Sequence, residues 1–137
     1  MSDDDLELEA GGGTVSKQDE FAKLQKQRED KEINHRIMRC NNDKGGRELN
    51  LGEIELTILP EKRIKPLVAL RTLNLRRNKI EELPASIWKE LPDLEILNLS
   101  NNRISFVPVD LFFIPKMVKL YLDNNRLQTI PEEIGKM

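Results

Sequence analysis

The chain has 137 residues, enough for one modest domain, and a formal net charge of −2, which produces no overall field that would attract nucleic acid. Aromatic residues make up 4% of the chain, so leucine and isoleucine must form the core. The single Cys40 excludes an internal disulfide and is typical of a reducing compartment, so we expect a cytoplasmic protein.

The amino-terminal part of the chain predicts a tail followed by a helix. Residues 1–15 include the acidic stretch MSDDDLELEA and a run of three glycines, which predicts disorder and no signal peptide. Residues 16–45 are charged and predict a helix and a turn, with Ser16 and Asp19 as a helix cap. The spacing predicts an interrupted apolar face too short for a coiled coil, formed by Phe21, Leu24, Ile33, Ile37 and Met38.

One pattern then recurs three times. LNLRRNKIEELP begins at residue 73, LNLSNNRISFVP at residue 97 and LYLDNNRLQTIP at residue 120. The alternating leucines predict short strands with one buried face, and each strand is too short to bury that face alone. Stacked copies form one parallel sheet with a shared core. We therefore expect full burial of Leu75, Leu99 and Leu122.

An asparagine follows each strand at a constant distance. Asn78, Asn102 and Asn125 are expected in the turns, where an amide side chain can donate to and accept from the backbone of adjacent repeats. Asn101, next to Asn102, is expected to face solvent. The recurring residues are therefore interpreted as scaffold, and the residues that vary between them as surface.

This pattern resembles the leucine-rich repeat family over residues 46–137. The second half of each unit, as in Leu83-Pro84, resembles the cytoplasmic LPxxI type found in Ras-pathway scaffold proteins. The resemblance implies an α/β solenoid, a short array with a parallel concave sheet behind an N-terminal capping helix. Its repeats span 46–69, 70–93, 94–116 and 117–137, and the last of them is incomplete. The first departs from the pattern and is interpreted as a capping repeat. We therefore expect either a fragment or short isoform of a longer array, or another element that covers its open end.

The sequence predicts no catalytic site, metal site or cofactor. His35 and Cys40 are single residues of their types, and a partly buried helical cysteine is favoured over a nucleophilic pair. The glycines near residue 45 lack the spacing of a phosphate loop. The apolar stretch 104–118 contains two prolines and two charges and is too short to span a membrane. We expect no small-molecule substrate.

Binding is the remaining function, and the concave face is its predicted location. An acidic strip in the first repeat adjoins a basic strip in the second, so one interpretation is a salt ladder that only keeps the sheet soluble. The other is a protein-binding surface, facing an acidic patch on the partner, formed by Arg76, Arg77, Asn98, Arg103, Tyr121, Asp123 and Arg126. Trp88 and Phe112 are expected to form a half-buried convex edge, a second and less favoured surface. Nucleic-acid contact through RRNK (76–79) is disfavoured by the flanking glutamates.

Two classes of function remain open. The first is a non-catalytic interaction module, a cytoplasmic scaffold or regulatory subunit that binds a protein such as a small GTPase, a kinase or a phosphatase. The second is the targeting domain of a larger leucine-rich repeat enzyme, of the cyclase, kinase or GTPase type. The family resemblance implies both, and we favour the first.

Overall fold

The structure, a computed structural model, describes residues 16–43 and 45–129. The predicted tail (1–15) and the end of the fourth repeat (130–137) lie outside the described residues. The chain divides into two compact units, the first ending at Glu32 and the second beginning at Ile33.

A long helix, α1 (Lys17–Asp43), carries the boundary between the two units. In the first unit the predicted cap forms, because the backbone N–H of Asp19 donates to Ser16 Oγ at 3.1 Å. Lys26 pairs with Glu29 and Asp30 at 3.4 and 3.7 Å. The predicted apolar face is wrong here, since Phe21 and Leu24 are exposed.

The part of α1 in the second unit covers the start of the core. Ile33 and Cys40 are buried in the same apolar cluster as Leu49, and Ile37 packs against that cluster. Residues spaced by four and seven lie on one helical face. Met38 was predicted on that face but is exposed, because it follows Ile37 by one residue and so points about 100° away.

Four short strands form one sheet in the part of the chain that the structure describes. They are β1 (Glu48–Asn50), β2 (Thr72–Asn74), β3 (Ile96–Asn98) and β4 (Lys119–Tyr121). They are parallel, lie in chain order and pair in register, so each central leucine faces the next. The predicted parallel-sheet solenoid is confirmed.

Short helical segments return the chain from one strand to the next. They are α2 (Glu61–Ile64) and two 3₁₀ helices, Ile87–Glu90 and Val109–Phe113. Trp88 and Phe112 lie in these 3₁₀ helices and are only 1% and 5% exposed, so the predicted half-buried edge is wrong. Trp88 satisfies its one polar group by donating from Nε1 to the carbonyl oxygen of Pro84 at 2.7 Å.

The leucines of the repeats fill the space between the sheet and the return segments. Leu75 and Leu99 have no exposed surface, as predicted. Leu122 is only half-buried, so the prediction of full burial is wrong for this residue. Leu122 directly follows β4, which has a neighbouring strand on one side only among residues 16–43 and 45–129.

Candidate functional site

The turn that follows each strand is held by the predicted asparagine. Asn78 is buried, and its Oδ1 accepts from the backbone N–H groups of Ile54 and Leu56 at 3.1 and 3.0 Å. Its Nδ2 donates to the carbonyl oxygens of Leu51 and Leu75, both at 2.9 Å. One side chain therefore satisfies backbone groups in its own repeat and in the preceding one.

The same arrangement recurs one and two repeats later. Asn102 Oδ1 accepts from the N–H of Ile80 at 3.1 Å, and its Nδ2 donates to Leu75 O and Leu99 O. Asn125 repeats the pattern with Ile104 and Leu99, at 3.0 and 2.8 Å. The predicted asparagine ladder is confirmed.

The strand ends are joined by a second series of backbone bonds. The N–H of Leu51 donates to Asn74 O at 2.8 Å, and the N–H of Leu75 donates to Asn98 O at 2.8 Å. Each repeat thus supplies donors to the carbonyls of the repeat after it. The first repeat has no earlier strand beside it among the described residues.

A helix side chain supplies the missing donor at that edge. Arg36 Nη1 donates to Asn50 O at 3.0 Å and to Gly52 O at 3.3 Å. Gly52 is buried, and an added Cβ would lie 3.3 Å from Arg76 Cγ and from Arg76 O. Sequence reasoning missed this role of Arg36. The available signal was Gly52, which stands at the position where later repeats carry Arg76, Ser100 or Asp123.

Asparagines on the outward side of the strands stabilise the turns. The Oδ1 atoms of Asn50, Asn74 and Asn98 each accept from the N–H two residues later, at 2.9, 3.0 and 3.0 Å. This is the side-chain turn that asparagine favours. Asn98, a predicted binding residue, therefore has its oxygen engaged, and Tyr121 takes the same register position in β4.

The residue before each ladder position has a left-handed backbone. Glu53, Arg77, Asn101 and Asn124 have φ between 56° and 61°. Asparagine tolerates this conformation better than most residues do. Asn101 is half-buried, and its Oδ1 accepts an exposed hydrogen bond from Asn124 Nδ2 at 2.9 Å, so its side chain also contacts the next repeat.

Ion pairs join the turns of the first two repeats. Glu53 Oε2 lies 3.6 Å from Arg76 Nη2 and 3.3 Å from Arg77 Nη1, and Glu55 Oε1 lies 3.9 Å from Lys79 Nζ. All five side chains are substantially exposed, so each pair contributes at most about 1 kcal/mol. The predicted salt ladder exists here, and it compensates two of the predicted binding arginines.

The turns of the third and fourth repeats are joined by hydrogen bonds instead of ion pairs. Ser100 Oγ donates to Asp123 Oδ1 at 2.6 Å, so Asp123 is held at the turn. Arg103 and Arg126 are exposed, and neither forms an ion pair with any residue in 16–43 or 45–129. The structure thus places the predicted residues on one side of the sheet and separates them into a paired group and an unpaired group.

We define the open face as the outward side of the four strands and of the turns that follow them. Along the paired strands β3 and β4, Ile96 lies beside Lys119, and Asn98 lies beside Tyr121, which is 41% exposed. In the turns after these strands, Arg103 and Arg126 occupy equivalent positions, because each donates its backbone N–H to the preceding repeat, at Ile80 O and Ile104 O respectively. This part of the face offers cations beside an apolar ring.

Two groups outside the open face have shifted pKa values. Burial raises the pKa of the Cys40 thiol, which favours the neutral and unreactive form. The hydrogen bond and charge of Lys116 lower the pKa of Asp93, whose Oδ1 lies 2.9 Å from Lys116 Nζ.

Among the described residues, no group of three His, Cys, Asp or Glu side chains is placed to hold a metal ion. In the same residues, no helix combines the length and the apolar character needed to span a bilayer.

Parallel three-residue strands, an asparagine ladder and helical returns together define a leucine-rich repeat solenoid. Residues 68–127 match the family model described as leucine rich repeat, in agreement with the solenoid fold. No match is found among the curated proteins.

The solved structures that match this chain include a bacterial and a plant protein. The Leptospira interrogans LRR protein LIC12759 is 32% identical, with a TM-score of 0.52; the match covers 64% of this chain and 28% of that one. The BIR3–SERK2 complex from Arabidopsis thaliana contains a chain that is 24% identical, with a TM-score of 0.46; the match covers 65% of this chain and 62% of that one. This chain therefore spans less than two thirds of either structure's own chain.

Proposed function

We propose that this chain is a non-catalytic protein-interaction module whose partner binds the open face. The observation that carries the proposal is the division of labour within each repeat. The leucines and the ladder asparagines maintain the fold, whereas side chains from different repeats meet on the open face without contributing to the core. A surface assembled in this way can vary without loss of the fold.

We propose further that the protein acts in the cytoplasm as a scaffold or regulatory subunit. The single cysteine, which is reduced and buried, supports a reducing compartment. The LPxxI-like second half of each repeat supports a partner of the Ras-pathway kind, such as a small GTPase, a kinase or a phosphatase. The seven predicted residues, from Arg76 to Arg126, are the proposed contact set.

Photo-crosslinking tests the location of binding. The photoreactive residue p-benzoylphenylalanine is placed at Tyr121, on the open face, or at Phe113, which is 61% exposed on a return segment. The proposal expects one protein to crosslink through position 121 in cells and to copurify with the unmodified chain. Crosslinking of that protein through position 113 alone would move the interface to the return side.

A further inference from the structure

We infer that the partner presents an acidic segment and that this segment binds the third and fourth repeats, at Arg103 and Arg126. The inference rests on the proposed function and narrows it to one part of the open face. It follows from a difference between the cations of the array: those of the second repeat form ion pairs, whereas Arg103 and Arg126 do not form them with the described residues.

The cations of the second repeat already have acidic neighbours. Glu53 lies within 3.6 Å of both Arg76 and Arg77, and Glu55 lies 3.9 Å from Lys79. An anionic ligand would have to compete with these glutamates. This part of the face therefore gains little from a carboxylate.

Arg103 and Arg126 lack such compensation. They hold equivalent positions in adjacent repeats, and adjacent strands are about 5 Å apart, so the two side chains leave the backbone at neighbouring positions. Neither has an ion-pair partner in residues 16–43 or 45–129. Neighbouring like charges disfavour each other, and a carboxylate bound between them removes that repulsion while forming paired hydrogen bonds.

The surroundings of the two arginines restrict how the acidic segment can lie. Asp123 is fixed by its 2.6 Å bond from Ser100 and repels a carboxylate placed beside it. On the strand side of Asp123, the exposed Tyr121 and the half-buried Ile96 offer apolar surface next to Lys119. The segment that fits carries acidic residues over the arginines and an apolar residue over Tyr121.

A peptide-binding measurement tests this. A labelled 12-residue peptide of alternating glutamate and leucine is titrated with the full chain at low salt, followed by fluorescence anisotropy, and a peptide with glutamine for glutamate is its control. Three variants are compared with the wild type. They are Arg103→Gln with Arg126→Gln, Arg76→Gln with Arg77→Gln, and Lys62→Gln with Lys89→Gln on the return segments; each removes two positive charges.

The inference expects the glutamate peptide to bind more tightly than the glutamine peptide. The Arg103 and Arg126 variant should weaken that binding by about 2-fold to 30-fold, the range for two exposed charge contacts, and the other two variants by less. Equal losses in all three variants would show that only the overall charge matters and would overturn the inference, as would failure of the glutamate peptide to bind. Crosslinking of a partner through position 121 would still support the proposed function in either case.

Discussion

Arg36 Nη1 lies 3.0 Å from the carbonyl oxygen of Asn50, in the position where a backbone amide of the preceding repeat stands in later repeats. The helix therefore does more than cover the first leucines. It gives a donor to the carbonyl of Asn50, at the end of the edge strand β1, and to that of Gly52. Unpaired carbonyls at a sheet edge would otherwise be open to another chain.

Replacing Arg36 should weaken this end of the array. Arg36→Ala removes the donor to Asn50 and Gly52 and should lower the free energy of unfolding by about 1 kcal/mol, the usual net value of such bonds. Urea denaturation measures the change. His35→Ala, at an exposed neighbouring position of α1, is the control. Equal stability of the two variants would show that water replaces the guanidinium without cost.

The ladder and the residue beside it should respond differently to substitution. Asn102→Ala leaves buried backbone groups of Leu75 and Ile80 without their partner and should cost about 1–3 kcal/mol. Asn101→Gly is the matched control, because glycine adopts the left-handed backbone at φ 58° without strain. Thermal unfolding compares them, and similar melting temperatures would contradict the assigned ladder register.

Leucines at equivalent positions of different repeats should differ in their contribution. Leu99→Ala removes a fully buried side chain and should cost about 2–5 kcal/mol. Leu122→Ala should cost clearly less, because Leu122 is already half-buried and part of its surface is in water. Denaturant midpoints of the two variants give the comparison; a larger effect at Leu122 would mean that the fourth repeat is better covered than its exposure indicates.

Cys40 should be protected from thiol reagents. Burial raises the pKa of its thiol, so the neutral form persists in the folded state and the contribution to stability is present below the ordinary thiol pKa of 9.0. That contribution is lost as the pH rises through the higher pKa of the folded state. At pH 8, reaction with Ellman's reagent should be at least about a hundredfold slower than in denaturant.

A relocated thiol provides the control for this measurement. Met38→Cys combined with Cys40→Ala places the thiol at an exposed position of the same helix. This thiol should react rapidly in the folded protein. If the native Cys40 reacted at the same rate, α1 would have to open frequently at its carboxyl end.

The Asp93–Lys116 pair should give a pH-dependent contribution. Lys116 lowers the pKa of Asp93, so the stabilisation is present above the ordinary carboxyl pKa of 3.8 and is lost as the pH falls through the lower folded-state value. Asp93→Asn should therefore reduce the melting temperature slightly at pH 7 and not at strongly acidic pH. Asp110→Asn, at another exposed acidic position, should change the melting temperature equally little at both.

The fold was predictable because its determinants recur in the sequence. Leu73, Leu97 and Leu120 pair in register, and the ladder asparagines occur at the expected turns. Residues that act once carried no such signal. Arg36 is one of many cations in a charged helix, and the burial of Trp88 depends on how the return segment folds over the core.

The candidate site was predicted only in part for a similar reason. Sequence periodicity placed Arg76, Arg77, Arg103 and Arg126 on one face but left open two interpretations, a salt ladder with the acidic strip and a protein-binding surface. That distinction depends on side-chain reach across the turns, where Glu53 contacts two arginines at once. Whether the seven predicted residues bind a partner stays a prediction.

The asparagine ladder sets the order in which the repeats can complete their hydrogen bonds during synthesis at the ribosome. The amides of Ile54 and Leu56 obtain their acceptor only from Asn78, which is 24 and 22 residues further along the chain. Ile80 likewise waits 22 residues for Asn102. During synthesis from the amino end, the amides of each turn are therefore paired only after the next repeat has been made. The most recently synthesised repeat is the one whose turn amides still lack their acceptor.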